Sequence, residues 1–195
     1  MNKVNYNKVM YEHILSFGGE KKKLLLHSCC APCSTACIER LSSYFDVTIY
    51  YYNPNLDTLE EFLLRAGEQQ RYCRKLNITC IIEQYEKQDF IDAVNGYEGE
   101  KEGGIRCEKC FFLRLKKTAK KCKELCFDYF ATTLTISPLK NANLINEIGQ
   151  KLQEKEGVKY LPTDFKKDNG YLRSVELSGQ NGLYRQNYCG CYYSK

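Results

Sequence analysis

Seven cysteines stand in three tight groups far apart along the chain: Cys29-Cys30-Ala31-Pro32-Cys33, Cys107-Glu108-Lys109-Cys110 and Cys189-Gly190-Cys191. No other feature limits the fold as much, because thiols spaced this way share one chemistry only if the chain returns all three groups to one place. A tetrahedral zinc site takes four ligands, and so does a 4Fe–4S cluster. Seven exceed either alone, so they read as one four-thiolate cofactor plus a second element. A Cys-Cys pair serves two corners of a cubane more easily than two positions on one zinc, and zinc-ribbon C-x2-C pairs lie closer in sequence. Iron–sulfur is therefore favoured over structural zinc.

A disulfide framework is the other use of so many cysteines, 12 in all, but it belongs to small secreted chains. Residues 1–20 lack the apolar centre of a secretory signal. No apolar run approaches about 18 residues, so no membrane span is expected. The expected location is cytoplasmic, where clustered cysteines bind metal or carry electrons. Cys37, Cys73, Cys80, Cys122 and Cys126 lie outside the groups and are expected to be small buried hydrophobes.

The chain's 195 residues fit one domain, and 43% hydrophobic with 27% charged residues argues against disorder. With no repeat or linker, 1–195 reads as a single catalytic domain. It has an N-terminal extension at 1–22 and an irregular C-terminal segment at 163–195 that returns to the active site. Charge is concentrated between Arg106 and Cys126, where eight bases face two acids. That surplus exceeds the whole chain's net +5, so the remainder is slightly negative. Such a stripe suits a polyanion, or merely forms a solvated helix face.

Leu24 to Ser28 predicts a buried strand, with Cys29 to Cys33 as the turn after it and a helix from Ser34, capped by Ser34 or Thr35. Val47–Tyr52, Thr79–Ile82, Tyr129–Leu134 and Val158–Leu161 predict further strands. Helices are expected at 59–76, with Leu59, Phe62, Leu63 and Ala66 on one face, then at 89–95, 110–125 and 139–155. Pro32 is expected to keep the thiols out of any regular element, and 164–186 reads as irregular. The alternation predicts an α/β domain, a parallel sheet with helices on both faces. Active sites of such sheets lie at the carboxyl ends of the strands, where Cys29 falls.

Three spaced motifs carry a resemblance: His27-x-Cys29-Cys30-Ala31-Pro32-Cys33, then Gly104-Ile105-Arg106-Cys107-x-x-Cys110-Phe111 with Arg114-Leu115, then Tyr188-Cys189-Gly190-Cys191. With Thr132-Thr133-Leu134-x-x-Ser137-Pro138-x-Lys140, they resemble the QueH family of epoxyqueuosine reductases from about Leu24 onward. The resemblance implies the last step of queuosine biosynthesis, reduction of epoxyqueuosine in the tRNA anticodon to queuosine. It implies a fold like the PP-loop and adenine-nucleotide hydrolase (HUP) group, and an external electron donor. It further implies a 4Fe–4S cluster on Cys29, Cys30, Cys107 and Cys110. Cys189 and Cys191 become a redox-active pair or, with Cys33, ligands of an additional iron ion.

Turning an epoxide into an alkene consumes two electrons and two protons and releases water. A dithiol stores two electrons, and an iron could instead act as a Lewis acid on the epoxide oxygen. Arg106, Arg185 or Tyr188 could meet the developing alkoxide, against a plain structural role for each. His27 reads as a satisfied strand-end histidine rather than a ligand. Lys116, Lys117, Lys120 and Lys121 are expected on tRNA phosphates. The tyrosines Tyr50, Tyr51, Tyr52, Tyr171, Tyr184, Tyr192 and Tyr193 are candidates to stack on bases. Two rivals remain. One is a PP-loop iron–sulfur tRNA thiolase, although Cys29–Cys33 occupies the place of its phosphate loop. The other is a zinc-stabilised RNA-binding protein.

Overall fold

Leu24, Leu25 and Leu26 explain the centre of the architecture. Side chains alternate across a strand, so Leu24 and Leu26 enter one apolar cluster and Leu25 the opposite one. A strand buried on both faces needs no polar alternation, as parallel sheets allow. The computed structural model describes residues 4–194; the expected domain limits at 1–3 and 195 lie outside the described residues. Five strands form one parallel sheet in the order β3-β2-β1-β4-β5. They are β1 (Lys22–His27), β2 (Phe45–Tyr51), β3 (Cys80–Ile82), β4 (Tyr129–Thr132) and β5 (Lys159–Tyr160).

Helices α1 (Tyr6–Leu15), α2 (Ala31–Leu41), α3 (Leu59–Lys75) and α7 (Gly170–Gln180) cover the Leu24 face. Helices α5 (Ile105–Glu124) and α6 (Ala142–Glu156) cover the Leu25 face. The short α4 (Lys87–Val94) packs against α5. The α/β expectation is met. The chain winds from β1 to β2 and β3, then crosses back to β4 and β5, so the strand order reverses between β1 and β4. Ligands of open α/β sheets bind at such a switch point. Among the described residues no helix is long and apolar enough to cross a membrane.

Four local expectations need correction. The helix after β1 starts at Ala31, not Ser34, with Cys30 as its cap residue and Pro32 in its first turn. Proline suits that place, since its missing N–H has no partner there anyway. Cys33 is therefore helical, and the Ser34 and Thr35 hydroxyls donate back to the carbonyls of Ala31 and Pro32 instead of capping. On α3, Leu59 and Leu63 are exposed while Arg65 and Gln69 are buried with Phe62 and Ala66, because Phe62 and Ala66 pack on Tyr51 and Leu56 while Gln69 and Arg65 bond Ser28 and the Cys189 carbonyl.

The stretch 164–186, expected to be irregular, contains α7. Its glycines look like breakers in the sequence. At Gly170 the cause is packing, since a β-carbon there would stand 1.9 Å from the Phe165 carbonyl oxygen. Finally, Cys126 is not buried. It lies past the end of α5 with φ 54° and is exposed, whereas Cys37, Cys73 and Cys122 are buried and Cys80 is half-buried.

Candidate active site

The end of β1 is anchored by its neighbours. The Ser28 N–H donates to the Tyr50 carbonyl at 2.9 Å, and the Ser28 hydroxyl donates to Gln69 Oε1 at 2.7 Å. Asn53 Nδ2 donates to the Ser28 carbonyl at 2.9 Å. On the other side, the Cys29 N–H donates to the Thr133 hydroxyl at 3.3 Å, just beyond β4. The chain then turns into α2, and the sulfur atoms of Cys29, Cys30 and Cys33 lie within 4.8 Å of one another.

The Cys30 and Cys33 thiols donate to Cys29, which holds Cys29 well below the usual thiol range; Lys140 and Arg114 add to this against the cost of burial. The hydrogen bond to Cys29, with burial, pushes Cys30 up to about 12, and the same partners raise Cys33. Within the triad, the thiolate form is therefore most favoured at Cys29.

The second cysteine group opens α5, which starts five residues earlier than the sequence suggests, so Cys107 and Cys110 both lie in its first turns. The Gly103 N–H donates to the Cys107 sulfur at 3.2 Å. Burial pushes Cys110 up to about 11, against the pull of Arg114. The third group arrives on the C-terminal segment. Cys191 packs with Cys110, Phe90 and Val94 in one apolar cluster. Its thiol donates to Cys189 and holds Cys189 down at about 5, helped by Lys140 and Arg114 and opposed by burial and Cys29. Cys189 feels the charge at Cys29, and Cys110 the charge at Cys189. The first and third groups line one cavity at the switch point, and Cys110 of the second packs against Cys191.

A cavity of about 550 Å³ opens beside them, lined by Cys29, Cys33 and Cys189 and by the cations Arg65, Arg114, Lys140 and Arg185. Arg114 is fully buried. It donates to Asn53 Oδ1, and its Nε lies 3.3 Å from His27 Nε2. Burial works against its charge, but Cys110, Cys29 and Cys189 outweigh that and raise its pKa. The same contest raises Lys140, where Cys189, Cys29 and Cys33 prevail over burial. His27 is a bracing residue, as expected. Its ring meets the Thr132 hydroxyl at 2.8 Å and the Tyr52 carbonyl at 3.1 Å, and burial with Arg114 lowers its pKa to about 3, so it stays neutral.

Several sequence candidates lie elsewhere. Tyr50, Tyr51 and Tyr52 are wholly buried with their hydroxyls bonded to Glu83, the Phe62 carbonyl and Asp89, so no base can stack on them. Arg106 is buried, donates to the carbonyls of Glu98 and Glu100 and lies over the Tyr193 ring, away from the cavity. Tyr171, Arg185 and Tyr188 do line it. Arg65 is a site residue that sequence reasoning misses. A cation inside an amphipathic helix reads as solvated, and nothing in the local pattern shows that it reaches the Cys189 carbonyl at 3.2 Å.

The family model described as "Epoxyqueuosine reductase QueH" matches residues 24–195, a span that holds all three cysteine groups. The chain belongs to this family. Epoxyqueuosine reductases QueH of Staphylococcus epidermidis and Streptococcus pyogenes are 44% and 43% identical to it over 202 and 200 residues. Each comparison covers 98% of this chain, with 85% and 78% of the relatives. A solved U34-tRNA thiolase NcsA from Methanococcus maripaludis with its [4Fe-4S] cluster is 16% identical, with a TM-score of 0.59 over 96% of this chain and 68% of its own. At that identity the likeness concerns the fold alone. As a QueH-family member the chain is an oxidoreductase of queuosine biosynthesis, an epoxyqueuosine reductase, and the thiolase and zinc-module readings give way.

Proposed function

We propose that the chain reduces epoxyqueuosine within tRNA, with Cys29, Cys30, Cys107 and Cys110 holding a 4Fe–4S cluster. Cys33, Cys189 and Cys191 form a second redox or metal element beside it. The observation that supports this most is that the first and third cysteine groups line one cavity together with cations, while Cys110 of the second packs against Cys191. The donor set fits: clustered thiols are the ligands iron–sulfur centres take, and Arg114 and Lys140 offset the charge they carry.

The cluster, when bound, supplies electrons one at a time. The chain's own residues do the rest. Arg65 and the Asp57 N–H, donating to the carbonyls of Cys189 and Gly190, hold the C-terminal thiols at the cavity wall. Arg185 and Tyr188 reach the cavity with N–H and O–H groups that can donate to the epoxide oxygen as its C–O bonds open. Cys189 and Cys191, going from a thiolate–thiol pair to a disulfide, would release the two electrons and one of the two protons that the reaction consumes with loss of water, the other proton coming from solvent. An external donor must then restore them. The exposed lysines of α5 hold tRNA phosphates.

The test is anaerobic purification with iron, sulfide and zinc analysis, followed by incubation with epoxyqueuosine-containing tRNA and a chemical reductant. Iron with matching sulfide, and a nucleoside product lacking one oxygen, is the expected result. Zinc without sulfide, or unconverted substrate, overturns the proposal.

A further inference from the structure

β2 runs out into Asn53-Pro54-Asn55, and the two asparagines differ in one respect. Asn53 is fully engaged, donating to Ser28 and accepting from Arg114. Asn55 is 2% exposed and lines the same cavity as Cys29, yet its Oδ1 has no hydrogen-bond partner. On the C-terminal segment, Gln186 repeats the pattern: it lines the same cavity and its buried Oε1 has no partner. Buried amide oxygens are almost always paired, because leaving one unpaired forfeits its hydration without return. Two such orphans on one cavity wall describe a ligand that brings its own donors.

We propose that Asn55 and Gln186 form the hydroxyl-recognition subsite of this cavity, accepting hydrogen bonds from ring hydroxyls that flank the epoxide. The inference rests on the reductase reading, which brings a hydroxyl-bearing carbocycle to the Cys29 end of the cavity. An epoxide without those hydroxyls leaves both oxygens unpaired, and a site built to bond a hydroxyl rejects the analogue that lacks it. The subsite therefore sets specificity and positions the ring, while the thiols carry the electrons.

The test uses the full-length holoenzyme, purified anaerobically, with Asn55→Ala, Asn55→Asp and Gln186→Ala. Asn55→Ala and Gln186→Ala are each expected to raise KM for epoxyqueuosine-containing tRNA about tenfold, with a smaller change in kcat. Affinity for tRNA lacking the modification, and iron and sulfide content, should stay at wild-type levels. Asn55→Asp keeps an accepting oxygen and should recover most of the KM. An unchanged KM in both alanine variants shows that no substrate group bonds these oxygens and overturns the subsite, and so does a fall in iron content, which makes these residues supports of the metal centre. Gln186→Ala decides the question if Asn55→Ala misfolds. A wild-type holoenzyme that fails to convert epoxyqueuosine removes the reductase reading first, and the subsite with it.

Discussion

Gly190 is packed directly onto Arg65: a β-carbon at Gly190 would stand 2.8 Å from Arg65 Nη1 and 2.4 Å from Leu56 Cδ2. Its φ of +97° is open to glycine and costly for other residues. The turn between Cys189 and Cys191 is thus set by a cation on α3. Gly190→Ala should lower turnover by more than about tenfold, through misplaced thiols, while melting falls by only a few degrees. Steady-state assay beside thermal denaturation separates the two effects, and wild-type turnover would show that the position of the thiols is unimportant.

Arg114 meets His27, Asn53 and the thiols of three segments at once. Removing one partner of a buried charge set costs about 3–5 kcal/mol. Arg114→Leu should lose most bound iron and sulfide. Arg114→Lys should not restore it, because a lysine lacks the planar fork that reaches Asn53 and His27 together. Iron and sulfide analysis with a visible spectrum decides it, and a fully loaded Arg114→Lys protein would contradict the role given to the guanidinium.

Replacing Cys189 and Cys191 by Ser separates the two roles open to them. As a redox pair their loss abolishes turnover and leaves the iron–sulfur absorbance in place. As metal ligands their loss removes iron. The first outcome is expected, because Cys191 is tied to Cys189 by its own hydrogen bond.

The outer face of α5 carries exposed Lys117 and Lys120, while Lys121 is engaged by Glu83 and Glu124. Charge reversal at Lys117 and Lys120 should weaken tRNA binding at low salt. It should also flatten the salt dependence, by about one unit of slope for each phosphate that is no longer held. Reversal at Lys121 should matter less. Affinities taken across a salt series test this, and an unchanged slope would move the tRNA path off this helix.

Gly149 faces Tyr160 across the α6–β5 boundary, and a β-carbon there would stand 2.3 Å from the ring. Alanine normally gains about 1 kcal/mol over glycine in a helix, but overpacking costs about 1–3 kcal/mol. The ring cannot withdraw, since its hydroxyl donates to Asn146 at 3.1 Å inside the core. Gly149→Ala should therefore lower melting by roughly 2–6 °C. Adding Tyr160→Leu should recover part of that loss.

The strands are legible because three consecutive leucines and the β-branched runs at 47–52 and 129–134 have no other stable use. The cysteine groups are legible because their spacing is chemical rather than structural. The C-terminal helix is not, because Gly170 carries the same letter whether a glycine breaks a helix or clears room for a neighbour. Tyr50, Tyr51 and Tyr52 mislead for a related reason. An aromatic run suits a buried strand and a stacking platform equally, and burial alone separates them.

By itself, then, the sequence determined the parallel α/β sheet, the seven thiols and the family. Hydrophobic period and ligand identity are written locally, one residue type at a time. The tertiary structure alone decided that Arg65, Arg114 and Lys140 stand against those thiols and that Asn55 and Gln186 line the cavity with buried, unpaired oxygens. A charge or an amide acquires its role from what desolvates it and what lies within hydrogen-bond reach. Those neighbours come from segments that only folding brings together.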